Sequence, residues 1–554
     1  MTKYPYKRIL TFIIPLIGFL LYANTFQHQY ALDDIPIVRD NVLIKTDADI
    51  PVLFRTHYWA GKPNANDKGL YRPLTLASYA LQYKISGERP EPFHWVNALL
   101  HGFICLLILL TIKLLFRSDF IGLVSAGLFA VHPIHTEAVA NIVGRAELMC
   151  MLFILVSIFL FFSSFQQNSW KKWLLLFGVF VSSAAGALSK ELGFLIPVFI
   201  LLSFLLETQK RGPLKRIIPQ IGAFAVVVIF MFVLWMVRAD ITSETVTHEL
   251  WRGVSSSERI ATSLRTCLEY AGMLVFPITL SADYWSTEVP FIGWNQTIVY
   301  ASILLICTSV FVALRFRKSI PAFSWGIFFF GIALFPVSNI PFAIGVLKAE
   351  RILYIPSLGF IMAITSLLYL IYQHNKYRIP LFIIIAFYGS GLAVKTWLHN
   401  PVWKNNFTLS LATVRTSPDS PRMNNILGQA YKKQKKTAQS LYYLEKAVAS
   451  RPEHLPAVVN LALMKKSTGD LQGAILLLEQ ALRYNKNHYE AGVNLIGLYR
   501  GAGQLEAGRK LGNRLLKVYP QSAAVMTNLG NIYYDLGQTQ QAQNLWDKAK
   551  GKKY

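Results

Sequence analysis

Apolar runs separated by short basic turns fill the first four hundred residues of the chain, and a polar, alanine-rich pattern that repeats every 34 residues fills the rest. Runs such as Ile9–Tyr22, Leu99–Phe116 and Trp173–Leu188 reach or approach the roughly 20 residues that a helix needs to cross about 30 Å of hydrocarbon. Residues 1–398 are therefore expected to form a polytopic helical domain of about eleven transmembrane helices. The moderately apolar stretch Leu264–Leu280 is expected to lie at the interface or re-enter rather than cross, because one more crossing would place Arg315, Arg317 and Lys318 outside.

In the tail, Leu427-Gly428, Tyr431, Ala447 and Pro452 set a frame. It returns as Leu461-Ala462, Gly469, Ala474 and Ala481, then as Leu495, Tyr499, Gly503 and Pro520, and finally as Leu529-Gly530, Tyr533, Gly537, Ala542 and Ala549. A helical hairpin of this period buries its small and aromatic positions against its neighbour, so residues 420–554 read as about four tetratricopeptide repeats behind a linker at 399–419. The predicted class is all-α, a membrane domain followed by an α-solenoid. Gly508 and Gly512 replace the usual alanine and aromatic positions of the third repeat, which predicts a locally soft unit. Asn460, Asn494 and Asn528 recur at the same spacing, with Asn424 and Asn425 near the equivalent place in the first repeat. Their amides suit an acceptor-protein groove, since each can donate to and accept from an extended backbone.

Composition supports the membrane reading, because hydrophobic residues make up 53% and charged residues only 15% of the 554. The net charge of +25 is compatible with nucleic acid, but the basic residues collect in the turns between apolar runs, as cytoplasmic loops require, and no nucleic-acid partner is expected. With Lys3, Lys7 and Arg8 before it, the first run reads as a signal peptide or an anchor, and an uncleaved anchor with that basic end inside is the expected one. The loops 117–119, 166–172, 208–216, 315–318 and 373–378 are then cytoplasmic, and the repeat tail lies on the periplasmic or lumenal side. Cys105, Cys150, Cys267 and Cys307 sit apart in apolar segments and read as packing residues.

On this register the polar connections share the outer side. Asp33-Asp34 follows the first helix, and a partly buried carboxylate there could take a proton from an acceptor hydroxyl. His132, His135 and Glu137 have spacing that could hold a metal, but no HExxH pattern or cysteine accompanies them, and hydrogen bonding to a sugar or carboxylate is the preferred reading. Lys190-Glu191 reads equally as an ion pair at a helix junction or as part of a site. Arg351, held by Glu350 where the chain re-enters the bilayer, suits the phosphate of a lipid carrier, because its planar fork matches phosphate oxygens.

Five strings occur in order: Leu32-Asp33-Asp34; His132-Pro133-Ile134-His135-Thr136-Glu137 running to Gly144-Arg145-Ala146-Glu147; Lys190-Glu191-Leu192-Gly193; Leu280-Ser281-Ala282-Asp283-Tyr284; and Glu350-Arg351-Ile352-Leu353-Tyr354. With the repeat tail they resemble the transmembrane and tetratricopeptide-repeat O-mannosyltransferases, members of the GT-C glycosyltransferase class. The resemblance implies transfer of a sugar, mannose in that family, from a polyprenyl or dolichyl phosphate to a protein Ser or Thr hydroxyl on the non-cytoplasmic side. It implies Asp33 or Asp34 as catalytic base and Arg351, with Glu350 and Lys190, on the donor phosphate. His132, His135, Glu137, Arg145, Glu191 and Asp283 would bind sugar or acceptor or support the site, with no metal or other cofactor. Membrane lipids would surround the first domain, and a bacterial inner membrane is favoured over the endoplasmic reticulum. Two other readings stand beside this one, a GT-C enzyme with a lipid or glycan acceptor and a non-enzymatic assembly platform, although eleven crossings exceed what an anchor needs.

Overall fold

The structure, a computed structural model, describes residues 5–45, 49–61, 69–208, 214–241 and 249–550. Lys3, most of the basic turn 208–216, and residues 46–48, 62–68 and 242–248 lie outside the described residues. The chain divides into two units, Met1–Leu409 and Ser410–Tyr554. Both are helical, with no strand among the described residues.

Among the described residues of the first unit, six helices are long and apolar enough to cross a membrane: Glu91–Phe116, Ile142–Ser164, Trp170–Ser189, Ile218–Ala239, Thr297–Phe316 and Asn375–Lys404. Five shorter apolar helices accompany them, Thr11–Thr25, Asp119–Val131, Glu191–Leu206, Pro321–Val337 and Pro356–Tyr372. This is the build of a multi-pass membrane protein. The helix Ile142–Ser164 is largely enclosed, whereas Ile218–Ala239, Thr297–Phe316 and Asn375–Lys404 turn most of their surface outward, exposing Ile229, Leu304 and Phe387. Large apolar side chains exposed on helices of this length are what a bilayer covers.

Hydrophobicity alone does not drive helices together in lipid, so close packing must. Gly326 and Gly359 show how: a Cβ built on either would lie 2.5 Å from the other's carbonyl oxygen, so only glycine lets these two helices touch backbone to backbone. The stretch 264–280 starts inside an amphipathic helix, Ser256–Val275, that is not among the eleven apolar ones. It carries Arg259, Arg265 and Glu269 and opens with a capping box in which Ser255 and Glu258 satisfy each other's backbone N–H groups.

The second unit holds four hairpins: Pro421–Lys433 with Thr437–Ser450, Leu455–Ser467 with Leu471–Tyr484, Tyr489–Gly501 with Leu505–Val518, and Ala523–Asp535 with Thr539–Lys550. The first helix of each is capped by a side chain at a 34-residue interval. Ser420, His454, His488 and Ser522 accept the N–H groups of Met423, Ala457, Ala491 and Val525 at 3.1, 3.3, 3.2 and 3.2 Å. The turn inside each hairpin needs a left-handed residue, and Gly469, Gly503 and Gly537 supply it in three repeats. In the first repeat Lys435 adopts the same conformation at φ 59°.

The third repeat differs from the soft unit its glycines predict. A Cβ on Gly508 would come within 2.4 Å of Ile532 Cδ1, and one on Gly512 within 2.7 Å of Leu529 Cδ1. The fourth repeat's large side chains occupy the space that alanine would fill, so these glycines mark a tight contact on an unbroken helix.

Candidate functional site

The segment His132–Glu147 is the hub on which the five strings meet. Helix Asp119–Val131 ends at His132, and Pro133 turns the chain through Pro133–His135 into the short helix Thr136–Ala140 and the turn Ile142–Gly144. Six of its residues, His132, His135, Glu137, Val143, Arg145 and Glu147, reach segments remote in sequence.

Val143 N–H donates to Asp34 Oδ1 at 2.9 Å, and Ala31 N–H donates to Asp34 Oδ2 at 3.1 Å. Asp34 is 1% exposed, and burial pushes its carboxyl up to about 7 against the downward pull of these N–H donors. Its neighbour Asp33 is only half-buried. The two aspartates therefore divide: Asp34 ties its loop to the hub, and Asp33 is the one with access to solvent.

Glu137, also 1% exposed, holds Arg351 twice, accepting its backbone N–H at 2.8 Å and pairing with its guanidinium. Burial opposes the Arg351 charge, but the carboxylates of Glu137, Glu147 and Asp33 outweigh it and hold the guanidinium above its ordinary pKa. The side chain remains 31% exposed. The expected Glu350–Arg351 arrangement differs: Glu350 faces away and accepts from Ser281 N–H and, at 2.9 Å, from Tyr284 O–H. Neighbours in a 3₁₀ turn, Glu350–Leu353, point a third of a turn apart, which sends the two charges to different partners. Burial, and then the Glu137 charge, push the Glu350 carboxyl up to about 8.

Lys190 forms a buried ion pair with Glu147 and not with adjacent Glu191. Glu191 instead receives three bonds from Arg72, the shortest at 2.7 Å, and lies 3.5 Å from Arg238. Arg72 and Arg238 were not indicated by the sequence, where each stands alone with no motif. Arg145 is wholly buried, with Nε on Asn97 Oδ1 at 3.0 Å, Nη2 on the Phe93 carbonyl at 3.1 Å, and its guanidinium against the Tyr79 and Phe93 rings. It fastens the hub to the helix beginning at Glu91.

Both histidines are engaged within the protein. His132 Nδ1 accepts Ile134 N–H, so Nε2 carries the proton and donates to the Leu274 carbonyl at 3.0 Å. His135 Nδ1 donates to the Phe129 carbonyl, and its Nε2 lies 2.8 Å from Ser357 Oγ. This geometry assigns the two rings to bracing the turn against Ser256–Val275 and Pro356–Tyr372. Asp283 is half-buried beside Ser281, whose hydroxyl donates to the Asp283 carbonyl at 2.8 Å.

In the repeat unit, Asn460, Asn494 and Asn528 are half-buried on the first helices of their hairpins. Asn460 Nδ2 donates to Asn425 Oδ1 at 2.9 Å, Asn528 Nδ2 to the Val493 carbonyl at 3.0 Å, and Asn494 Nδ2 to the Glu490 carbonyl at 2.8 Å. Asn460 and Asn528 thus spend one donor on the preceding repeat, and Asn494 spends one on its own helix.

Residues 71–235 match the family described as dolichyl-phosphate-mannose-protein mannosyltransferase, and residues 421–454, 467–525 and 522–550 match tetratricopeptide repeats. Protein O-mannosyl-transferase TMTC1 of Homo sapiens is 26% identical over 507 residues, covering 81% of this chain and 56% of that protein. A protein O-mannosyl-transferase of Caenorhabditis elegans is 27% identical over 425 residues, covering 75% and 59%. TMTC4 of Mus musculus is 26% identical over 486 residues, covering 78% and 65%. The chain spans little more than half the length of the first two of these proteins. With a mannosyltransferase match followed by repeats, the chain is similar across both units to the TMTC-type protein O-mannosyl-transferases.

Proposed function

We propose that this chain is a membrane glycosyltransferase that moves a sugar, mannose by the names of its relatives, from a polyprenyl or dolichyl phosphate to a Ser or Thr hydroxyl of a protein on the non-cytoplasmic side. The observation that carries the reading is the double use of one short segment: its Val143 holds the loop of the half-exposed Asp33, and its Glu137 holds the half-exposed Arg351. A base and an anion-binding fork are thereby set against each other by a common rigid piece, which is the arrangement that displacement at a glycosyl phosphate needs.

In the step, Asp33 takes the proton of the acceptor hydroxyl while that oxygen forms its bond to the sugar's C1. The C1–O bond to phosphate breaks, the phosphate leaves with the electron pair, and attack opposite the leaving group inverts the anomeric centre. Arg351 gains most from the phosphate when its charge has just increased, so it favours the transition state over the bound donor. Glu137 orients it, and Lys190, braced by Glu147, adds positive potential to the donor side. Glu191 and Asp283 border the same outer face. On this reading the tail supplies an acceptor groove through Asn460, Asn494 and Asn528, whose amide oxygens face an extended chain. A periplasmic placement of the tail follows from the basic inner loops, with a bacterial inner membrane as the favoured setting.

The test is transfer by the full chain in detergent, with labelled dolichyl-phosphate mannose and undecaprenyl-phosphate mannose as donors and a threonine-rich peptide as acceptor. Label in the peptide is the expected result, and label released only as free sugar or moved only to lipid would overturn the protein acceptor.

A further inference from the structure

Leu32, the residue before Asp33, has φ 48°, a left-handed conformation that is disfavoured for any residue but glycine. Backbone strain of this kind persists only where the surroundings impose it. Here the surroundings come from the far end of the first unit. Asn406 Oδ1 accepts Leu32 N–H at 2.7 Å. The Lys404 carbonyl accepts Gln29 N–H at 2.8 Å. Asn400 Nδ2 donates to the Leu21 carbonyl at 2.9 Å and to Asn24 Oδ1 at 2.8 Å, while Asn24 Nδ2 donates to the Trp397 carbonyl at 2.8 Å. Trp403 is buried and packs in one cluster with Ala31 and Ala140, next to the hub.

Resting on Asp33 as the base, we propose that Asn406 is a positioning residue of the reaction, and that the segment Asn400–Leu409 is a strap that holds the Asp33 loop in its working conformation. The two sides of the loop are restrained by different means. Asp34 binds Val143. Asn406 accepts the backbone N–H of the left-handed residue between Ala31 and Asp33. Without that acceptor Leu32 relaxes toward an ordinary φ, and rotation there swings the Asp33 carboxylate while Asp34 remains anchored. Misplacement of a base by about 1 Å lowers turnover without weakening substrate binding. The strap is also the covalent lead into the repeat unit, which begins at Ser410.

The experiment compares Asp33→Asn, Asn406→Ala and Asn406→Ala combined with Leu32→Gly in the full chain, using dolichyl-phosphate mannose and the threonine-rich peptide. Asn406→Ala is expected to lower kcat about tenfold, with both KM values within about twofold and an unchanged melting temperature. Glycine at 32 takes the left-handed conformation at little cost, so the double variant is expected to recover to within about threefold of the parent. Normal kcat in Asn406→Ala, with Asp33→Asn inactive, overturns the strap and leaves the base standing. Low kcat that Leu32→Gly fails to restore reduces Asn406 to general support and also overturns it. Normal turnover in Asp33→Asn removes the base and, with it, this inference. If Asn406→Ala does not fold, Asn406→Asp keeps an accepting oxygen. That variant is expected to remain active with the acid limb of its kcat profile moved to higher pH, since a second carboxylate then stands near Asp33, and an unmoved limb counts against the proposal.

Discussion

The candidate site and the repeat tail are wired at different ranges. In the site, Asp34 meets Val143 across 109 residues, Glu137 meets Arg351 across 214, and Leu32 meets Asn406 across 374. In the tail, Tyr489 meets Ser522 across 33 residues, while Asn460 meets Asn425 and Arg500 meets Asp535 across 35. A change in the tail therefore perturbs one repeat and its neighbour, as in any solenoid. A change in the site reaches segments that only the folded membrane unit brings together. The left-handed residues repeat the lesson: Lys435 sits in a turn that glycine fills in the three sister repeats, whereas Leu32 is held by a distant side chain beside a candidate base.

The largest expected effect is at Asp33. Asp33→Asn should lower transfer a hundredfold or more, about 2.7 kcal/mol in the barrier, with thermal unfolding unchanged because the carboxylate is half-exposed. Unaltered turnover would mean that the half-exposed aspartate is not the base.

Glu350 tests burial in the same unit. Its folded pKa stands above the ordinary value, 4.5 moving to about 8, so its stabilising contribution is complete below about 4.5 and is lost as pH rises through about 8. Glu350→Gln keeps an oxygen for Ser281 N–H and Tyr284 O–H. Melting curves should coincide with the parent at pH 5 and lie above it at pH 9, and parallel curves throughout would show that the carboxyl is ionised.

Arg351→Lys keeps charge but loses the planar fork. Donor kcat/KM should fall about tenfold, roughly 1.4 kcal/mol, and identical donor kinetics would leave Arg351 as a structural partner of Glu137.

In the tail the effects shrink. Lys435→Gly should stabilise the repeat unit by about 1 kcal/mol and leave transfer untouched, because it removes left-handed strain that no distant group exploits. A loss of stability would mean that the lysine side chain matters more than its backbone. Smallest of all, replacing Asn460, Asn494 and Asn528 by alanine should raise KM for a full-length acceptor about threefold and leave a short peptide unaffected. Equal loss on both acceptors would separate these amides from acceptor choice.

This difference in range explains what the sequence made legible. A 34-residue period is written in the order of residues, so the hairpins and their boundaries could be read directly. The apolar runs announced the membrane helices for the same reason, since each needs only its own residues. Pairings in the site are not written that way. Asp33 and Asp34 are alike on paper, and only Val143 tells them apart. Glu350 looked like the partner of Arg351 because it is adjacent, yet Glu137 holds that place. Arg72 carries no motif and Asn406 only the glycosylation sequon Asn406-Phe407-Thr408, so their links to the site became visible only through Glu191 and Leu32. The glycines at 508 and 512 misled in the opposite direction, because the side chains that fill their space belong to the next repeat.

The helix caps of the tail carry a consequence of their own. Histidine near neutrality usually suggests a protein that senses acidification, and His454 and His488 occupy repeated, structurally demanding places. Yet burial, with Arg451 and Arg422 nearby, lowers His454 to about 4, and burial lowers His488 against the pull of Glu490. Each imidazole keeps the lone pair that receives a backbone N–H, just as the serine hydroxyls do in the outer repeats. A proton on that nitrogen would abolish the acceptor and set a positive charge at the positive end of a helix, which the fold resists. These histidines act as bulky serines, and the His454 cap should outlast the mildly acidic range in which histidine sensors fire.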